Sequence, residues 1–307
     1  MENKTKGALL ILGAAFFWGI SGTIAKMVFN TDMNPIEVSN MRISLSAIIC
    51  ILYLAFRRSE LLQISSFGFK RIAILGISMT VMQGTYYYAI ARLNVSLAIF
   101  LQYLSPILIT AYCTFILKEK MTKSKMIALI FAMVGSYFII FGGGSLGVKL
   151  NIDGVIVGIV SAFCSAFYII YGQKCTGNYD PWTVLTYGMT TGAFIYIFIC
   201  PPWILWAQRS SSELLFTAYL ALFGTVIPFA LYLKGFKYLA PAAVNIIGMT
   251  ETVIASVSAY LILGEMLSLK QIMGAIFIIM AVVTIQSFDY IKENLLNKKQ
   301  NKVGSDI

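Results

Sequence analysis

Long apolar stretches recur along the chain, and charged or turn-forming residues end each of them. Most are 17 to 23 residues long, and roughly 20 apolar residues are enough to cross a bilayer as one α-helix. The stretches run over 7–28, 38–56, 72–91, 96–117, 125–141, 154–173, 182–203, 214–233, 241–263 and 270–288. The pattern predicts an all-α integral membrane protein with about ten transmembrane helices.

The composition supports lipid as the surroundings of the chain. Of the 307 residues, 59% are apolar and 12% are charged, whereas soluble proteins are roughly half apolar and a quarter charged. About ten spans of roughly 20 residues occupy most of the chain. Only short connections remain between them, so we expect no separate soluble domain.

The basic residues indicate how the chain is oriented. The net charge of +10 could suggest nucleic acid, but Lys and Arg fall in short clusters between apolar stretches, so we expect no nucleic-acid partner. With the N-terminus inside, 17 of the 23 basic residues lie in cytoplasmic segments, as the positive-inside rule requires. The bias predicts a multi-pass protein of the cell membrane with both termini cytoplasmic, including a tail over 288–307.

An internal repeat divides the spans into two halves. Ser105-Pro106 precede an apolar stretch that ends in Lys118-Glu119, and Glu251-Thr252 precede one that ends in Gly264-Glu265, 146 residues later. Pro35 and Pro181 match at the same offset. An odd number of spans per half makes the second half enter from the opposite side. We therefore expect two inverted five-helix repeats, over 7–141 and 154–287, a plan found in many secondary transporters.

These residues resemble the EamA type of the drug/metabolite transporter superfamily. The resemblance covers both repeats, and the residues that carry it form four groups. They are Ala14-Ala15-Phe16-Phe17-Trp18-Gly19, Arg42, Leu104-Ser105-Pro106 through Lys118-Glu119, and Glu251 through Gly264-Glu265. The resemblance implies a transporter, usually an exporter, of amino acids or other metabolites, with a central cavity enclosed by both halves. Thr252 departs from the pattern, since similar sequences often carry Pro there, and this leaves the expected helix distortion open.

Glu251 is the one acidic residue near the middle of a predicted span. An ionisable group there costs about 2.5–3.5 kcal/mol and usually faces a cavity or a partner. On a helical wheel Asn245 shares its side, while Ile246 and Ile247 lie opposite. Glu251 could bind a substrate ammonium group or take up a coupling proton. The alternative is a structural ion pair, with Lys26, Arg42 or Lys234 as the partner.

Other polar and aromatic residues in the spans could line the same cavity. Arg42, in the first turns of the second span, could bond a carboxylate or a helix carbonyl, or its side chain could extend to the membrane interface. Gln83 and Tyr87 share a helix face. The remaining candidates are amide or aromatic residues of four spans, namely Gln102, Tyr103, Asn245, Trp18 and Tyr168. The alternative for the tyrosines at 86–88 is an interfacial aromatic belt.

Prolines and small residues mark the backbone of three spans. Pro106 and Pro228 lie inside predicted helices, where they free carbonyls or allow bending, although many membrane helices contain proline without moving. The small residues of the sixth span recur every fourth position and predict close helix packing. They are Gly154, Gly158, Ala162 and Ala166.

Three classes of function compete for such a chain. An enzyme is not expected, because the sequence contains no histidine and one buried acid supplies little of a catalytic constellation. A passive channel or a non-transporting scaffold remains the alternative to a carrier that works by alternating access. The carrier would be a monomer or homodimer in membrane lipid and would bind a small organic solute and protons. We expect no metal and no cofactor.

Overall fold

The apolar stretches form α-helices. The computed structural model describes residues 2–28, 34–93, 95–118, 121–142, 151–264 and 266–285, and the regular elements within these ranges are all helical. The α-helices are α1 Glu2–Val28, α2 Pro35–Arg57, α3 Ser66–Arg92, α4 Val95–Gln102, α5 Ser105–Phe115, α6 Lys123–Phe141, α7 Ile152–Asn178, α8 Pro181–Ile199, α9 Pro202–Ala207, α10 Ser211–Ala221, α11 Ile227–Gly235, α12 Pro241–Gly248, α13 Thr250–Leu263 and α14 Leu269–Ile285. A 3₁₀ turn covers Ser59–Leu62, and a π-helical segment covers Leu222–Val226.

Polar side chains fix where several helices begin. Asn34 accepts a hydrogen bond from the amide of Ile36 at 3.0 Å, and Asp180 accepts one from the amide of Trp182 at 2.9 Å. Both helices have proline in the first turn, where the missing N–H costs nothing. Such caps satisfy the amides that a helix leaves without partners at its start.

The helices have the length and surface of a membrane protein. Within the described ranges, eight helical stretches are long and apolar enough to cross a membrane. The 27-residue α3 and the shorter α14 lie at two further predicted spans. Large apolar side chains point outwards, such as Phe56 with 82% and Phe115 with 77% of its surface exposed, and lipid is the solvent that such a surface suits. The all-α membrane class is therefore confirmed, and the count of ten spans stays a prediction.

Two predicted continuous spans are interrupted in the structure. The stretch 96–117 breaks between α4 and α5 at Tyr103 and Leu104, and the stretch 241–263 breaks between α12 and α13 at Met249. The first break precedes Pro106, which has no N–H to continue the helix. The two breaks lie 146 residues apart at Tyr103 and Met249, which is the offset of the sequence repeat.

Threonine hydroxyls accompany the second break. Thr250 donates to the carbonyl of Ile247 at 2.7 Å, and Thr252 donates to that of Met249 at 2.8 Å. Hydroxyls that bond preceding carbonyls bend helices, so the chain turns here without the proline of similar sequences. Ile246 and Ile247, expected on the side opposite Glu251, are both buried, so α12 is covered by protein at these positions too.

Corresponding helices of the two halves pack antiparallel. Near the start of α2, Ser39 bonds Tyr196 at 3.0 Å near the end of α8, whereas Tyr53 and Trp182 meet at the other ends with ring centroids 4.6 Å apart. Helices α6 and α14 pack in the same manner, because Ser268, just before α14, donates to the carbonyl of Gly142 at 2.6 Å, just after α6.

The small residues of α7 take part in packing, as the sequence predicts. All four are buried, and a Cβ on Gly158 would lie 2.6 Å from the side chain of Leu101 on α4. The predicted tail over 288–307 and the residues Glu119 and Glu265 lie outside the described residues.

The contact between α6 and α14 generates the first prediction. A Cβ on Gly274 would lie 2.6 Å from the carbonyl oxygen of Gly135 and 2.8 Å from the amide nitrogen of Ile139, and backbone atoms cannot rotate away. We expect Gly274→Ala to destabilise the fold by about 1–3 kcal/mol, as overpacking does. The matched control is Gly22→Ala, since no heavy atom of another described segment lies within 4 Å of its added Cβ. Thermal unfolding of both variants in detergent measures the difference, and equal midpoints would contradict the close approach.

Candidate functional site

Glu251 lies at a helix start inside the membrane-spanning region. It occupies the first turn of α13, directly after the break at Met249. Its backbone rests on α1, because a Cβ on Gly19 would lie 2.9 Å from the carbonyl oxygen of Glu251. The positive end of the α13 dipole favours a carboxylate at this position.

The Glu251 side chain lies between helices, and only part of its surface is exposed. In the part of the chain that the structure describes, its carboxylate has no hydrogen bond and no cation within 4 Å. A buried carboxylate without a partner is costly, so a role that supplies a partner is favoured.

Four other side chains, from different parts of the chain, lie near Glu251. Those within electrostatic range of the carboxylate are Arg42 on α2, Tyr86 on α3, Tyr103 between α4 and α5, and Tyr232 on α11. Both halves of the chain therefore contribute to the surroundings of Glu251.

Arg42 is held by several hydrogen bonds to the protein. Its Nη2 donates to the carbonyl of Gly224 at 3.2 Å and to the Thr225 hydroxyl at 3.0 Å, and its Nε reaches the same hydroxyl at 3.2 Å. Its Nη1 donates to the Tyr87 hydroxyl. Arg42 therefore turns into the protein, where it bonds a helix carbonyl, rather than extending to the interface.

Proline explains why the Gly224 carbonyl is available. In a regular helix this carbonyl would accept from the amide four residues later, but that residue is Pro228, which has no N–H. The helix widens just before it, so that the amide of Ile227 bonds the carbonyl of Leu222. The expectation that Pro228 frees a carbonyl is met here, and the guanidinium of Arg42 takes the place of the missing amide.

The structural ion pairs considered for Glu251 are not formed with Arg42 or Lys234. Arg42 lies within electrostatic range but beyond ion-pair distance, and Lys234 lies over the Trp182 ring at 5.5 Å from its centroid. The side chain of Lys26, the third candidate, lies outside the described residues.

An aromatic group adjoins the site. Trp18 packs edge-on against Tyr232 and Phe229, with centroids 5.0 and 5.1 Å apart. The ring of Tyr168 also packs on Phe229, with centroids 5.9 Å apart. Two predicted residues, Trp18 and Tyr168, are thus brought together through Phe229 of α11, and the sequence analysis named neither Phe229 nor Tyr232. A signal existed in the repeat, because Tyr232 lies 146 residues after Tyr86.

The three amide candidates separate into two kinds. Asn245 donates to the Ser105 hydroxyl at 3.0 Å, and Gln102 donates to the Ser161 hydroxyl at 3.2 Å, so both amides tie helices together. Gln83 is half-buried on α3, one turn before Tyr87, and its amide has no hydrogen bond to the described residues. Of the three, Gln83 is the one whose amide makes no hydrogen bond within the described part of the chain.

The chemistry of this arrangement is reversible binding. One carboxylate lacks a partner, one guanidinium is bonded to protein, and several aromatic side chains lie around them. No group of three His, Cys, Asp or Glu residues that could hold a metal ion occurs in the described ranges. The site can exchange a proton or a cationic group at Glu251 without covalent chemistry.

Comparisons with known proteins identify transporters along the whole chain. An inner membrane transporter YicL of Salmonella typhimurium, named as uncharacterized, is 24% identical over 290 residues, which is 93% of this chain and 96% of that protein. Similar transporters occur in Archaeoglobus fulgidus, at 23% identity over 90% of this chain and 94% of that protein, and in Bacillus subtilis, where YyaM is 22% identical over 90% and 92%.

Fold and family comparisons agree with these relatives. A solved crystal structure shares the fold with a TM-score of 0.77 at 14% identity, covering 92% of this chain and 97% of that one. The model of the EamA-like transporter family matches twice, over residues 5–141 and 152–286. The chain belongs to the EamA-like transporter family.

Proposed function

We propose that this membrane transporter is a proton-coupled secondary carrier that exports amino acids or similar small organic metabolites across the cytoplasmic membrane. The observation that carries the proposal is the Glu251 carboxylate, enclosed between helices of both halves and without a partner in the described structure. A buried acid of this kind binds either a proton or a cationic group. Exchange between the two couples solute movement to protons.

Alternating access needs two units that move against each other around a central site. We infer that the units are the repeats 7–141 and 154–287, inserted in opposite directions. The antiparallel pairs α2 with α8 and α6 with α14 support this arrangement. Glu251 belongs to the second repeat, whereas Arg42 and Tyr103 belong to the first, so a relative movement of the repeats alters their spacing.

We infer a transport role without catalysis. Among the described residues, the titratable groups around Glu251 are a guanidinium and phenols, and the chain has no histidine to act as a base near neutral pH.

Counterflow in proteoliposomes tests the carrier. Purified protein is reconstituted with one unlabelled amino acid or amine inside, and a panel of labelled amino acids and amines is offered outside. We expect saturable uptake of a labelled solute. The uptake should increase when the same solute is present inside, because the carrier then returns to the outer side with that solute bound. Uptake without this stimulation would indicate a channel. The absence of uptake of every solute would favour a scaffold.

A second prediction concerns the coupling role of Glu251. In Glu251→Gln the amide cannot release a proton, so we expect solute uptake driven by a pH gradient to fall to the level of empty liposomes. The matched control is Glu60→Gln, an equal change at an exposed carboxylate outside the spans, which should retain wild-type uptake. Unfolding in detergent shows that both variants fold. Normal gradient-driven uptake by Glu251→Gln would exclude this residue from coupling.

A third prediction concerns orientation, with both termini in the cytoplasm. In a variant without native cysteines, cysteines are introduced singly at Lys123 and Asp153, which are both exposed. The positive-inside bias places Lys123 in the cytoplasm and Asp153 outside. A membrane-impermeant maleimide added to intact cells should label Asp153→Cys and spare Lys123→Cys. The reverse labelling would invert the topology.

A further inference from the structure

The two charged side chains of the site, Glu251 and Arg42, differ in how many hydrogen-bonding positions they leave for a ligand. The inference that follows rests on the proposed carrier function and concerns its substrate. Glu251 offers a carboxylate with no hydrogen bond in the described structure, whereas Arg42 uses four of its five N–H groups on Gly224, Thr225 and Tyr87. The Glu251 carboxylate therefore lacks a partner, and a cationic group on the ligand would supply it.

Aromatic side chains lie near the Glu251 carboxylate. Tyr86, Tyr103 and Tyr232 lie within electrostatic range of the Glu251 carboxylate. A Cβ on Gly248, one turn before Glu251, would lie 3.7 Å from the hydroxyl of Tyr232. Trp18 packs on Tyr232. Its neighbour Gly19 lies against the backbone of Glu251. Faces of such rings attract ammonium groups.

Two of the amides at the break of the fourth span are already bonded to carbonyls of the chain. A helix start inside a membrane often binds a substrate carboxylate through free amides. Here the amide of Leu104 bonds the carbonyl of Leu101 at 3.1 Å, that of Ile107 bonds Leu104 at 3.0 Å, and Pro106 has none. The equivalent start of α13 already has the Glu251 carboxylate in its first turn.

We propose that the cavity selects organic amines, which have an ammonium group and no carboxylate, over the corresponding α-amino acids. The ammonium group binds Glu251, and the organic part lies among Tyr86, Tyr103, Tyr232 and Trp18. A carboxylate on the same carbon loses its water shell and comes close to the like charge of Glu251, so the amino acid binds more weakly.

The matched pair tyramine and tyrosine, which differ by that carboxylate alone, tests the selection. Binding of each to the full-length protein in detergent is measured by calorimetry and by the shift of the unfolding midpoint. We expect tyramine to bind at least about tenfold more tightly than tyrosine. Equal or tighter binding of tyrosine overturns the proposal, since Arg42 would then receive the carboxylate. Absence of binding by both tyramine and an aliphatic amine overturns it as well.

Variants test whether the named side chains form the site. Glu251→Gln should abolish tyramine binding. Tyr232→Leu should weaken it about tenfold through the loss of the aromatic face, and Tyr232→Phe should restore it. The control is Tyr260→Leu on the outer face of α13, where the ring is 46% exposed, and it should bind as the wild type does. Equal weakening by Tyr260→Leu and Tyr232→Leu contradicts the assignment.

Transport measurements separate this inference from the carrier proposal. Counterflow of tyrosine without counterflow or binding of tyramine keeps the carrier and removes the amine selection. Tight binding of tyramine without counterflow of any solute keeps the amine site and removes the carrier.

Discussion

A backbone carbonyl without a donor is too costly to leave in the hydrocarbon layer, and this constraint explains the arrangement around the site. Pro228 deprives the Gly224 carbonyl of its amide partner, and Arg42 supplies the missing donor. The same guanidinium holds Thr225 and Tyr87. A missing hydrogen bond in one helix thereby holds a cation of another helix near Glu251, and no acidic side chain is needed to hold it.

Glu251 stays available because Arg42 is stabilised by other groups. If the two side chains formed a close ion pair, their attraction in a poorly solvated interior would be strong, and a solute would have to break it. The bonds from Arg42 to a carbonyl and two hydroxyls keep its charge near Glu251 without a direct contact. The arrangement leaves the carboxylate to a proton or a cationic ligand.

The sequence predicted the helices more fully than the site. Apolar length and charge spacing determine which stretches enter a bilayer, so the helical segments lie close to the predicted spans. The breaks in the two spans predicted as continuous were missed, although they lie 146 residues apart, since the second one lacks proline and depends on Thr250 and Thr252. These hydroxyls could have turned outwards, and only the surrounding packing decides their orientation.

Site residues were predicted where their chemistry was conspicuous in a span, as with Glu251 and Arg42. Tyr232 and Phe229 were missed because aromatic residues are ordinary in membrane helices, and their place beside Trp18 depends on how α11 packs against α1. Asn245 and Gln102 were predicted for the cavity, but their amides bond neighbouring helices. Polarity in a span predicts that a side chain turns inwards, and it does not distinguish a ligand contact from a contact between helices.

The repeat is symmetric in its backbone and asymmetric in its charges, and the asymmetry has a physical reason. At the offset of 146 residues, Tyr232 repeats Tyr86, whereas Ser105 stands where Glu251 stands in the other half. Ser105 accepts a hydrogen bond from Asn245, at the contact between the two interrupted spans. A second carboxylate there would place two like charges close to one cavity, and each would oppose ionisation of the other. A single acid avoids this repulsion, so that one proton or one ammonium group is enough to neutralise it, while the shared tyrosines present an aromatic surface from both halves.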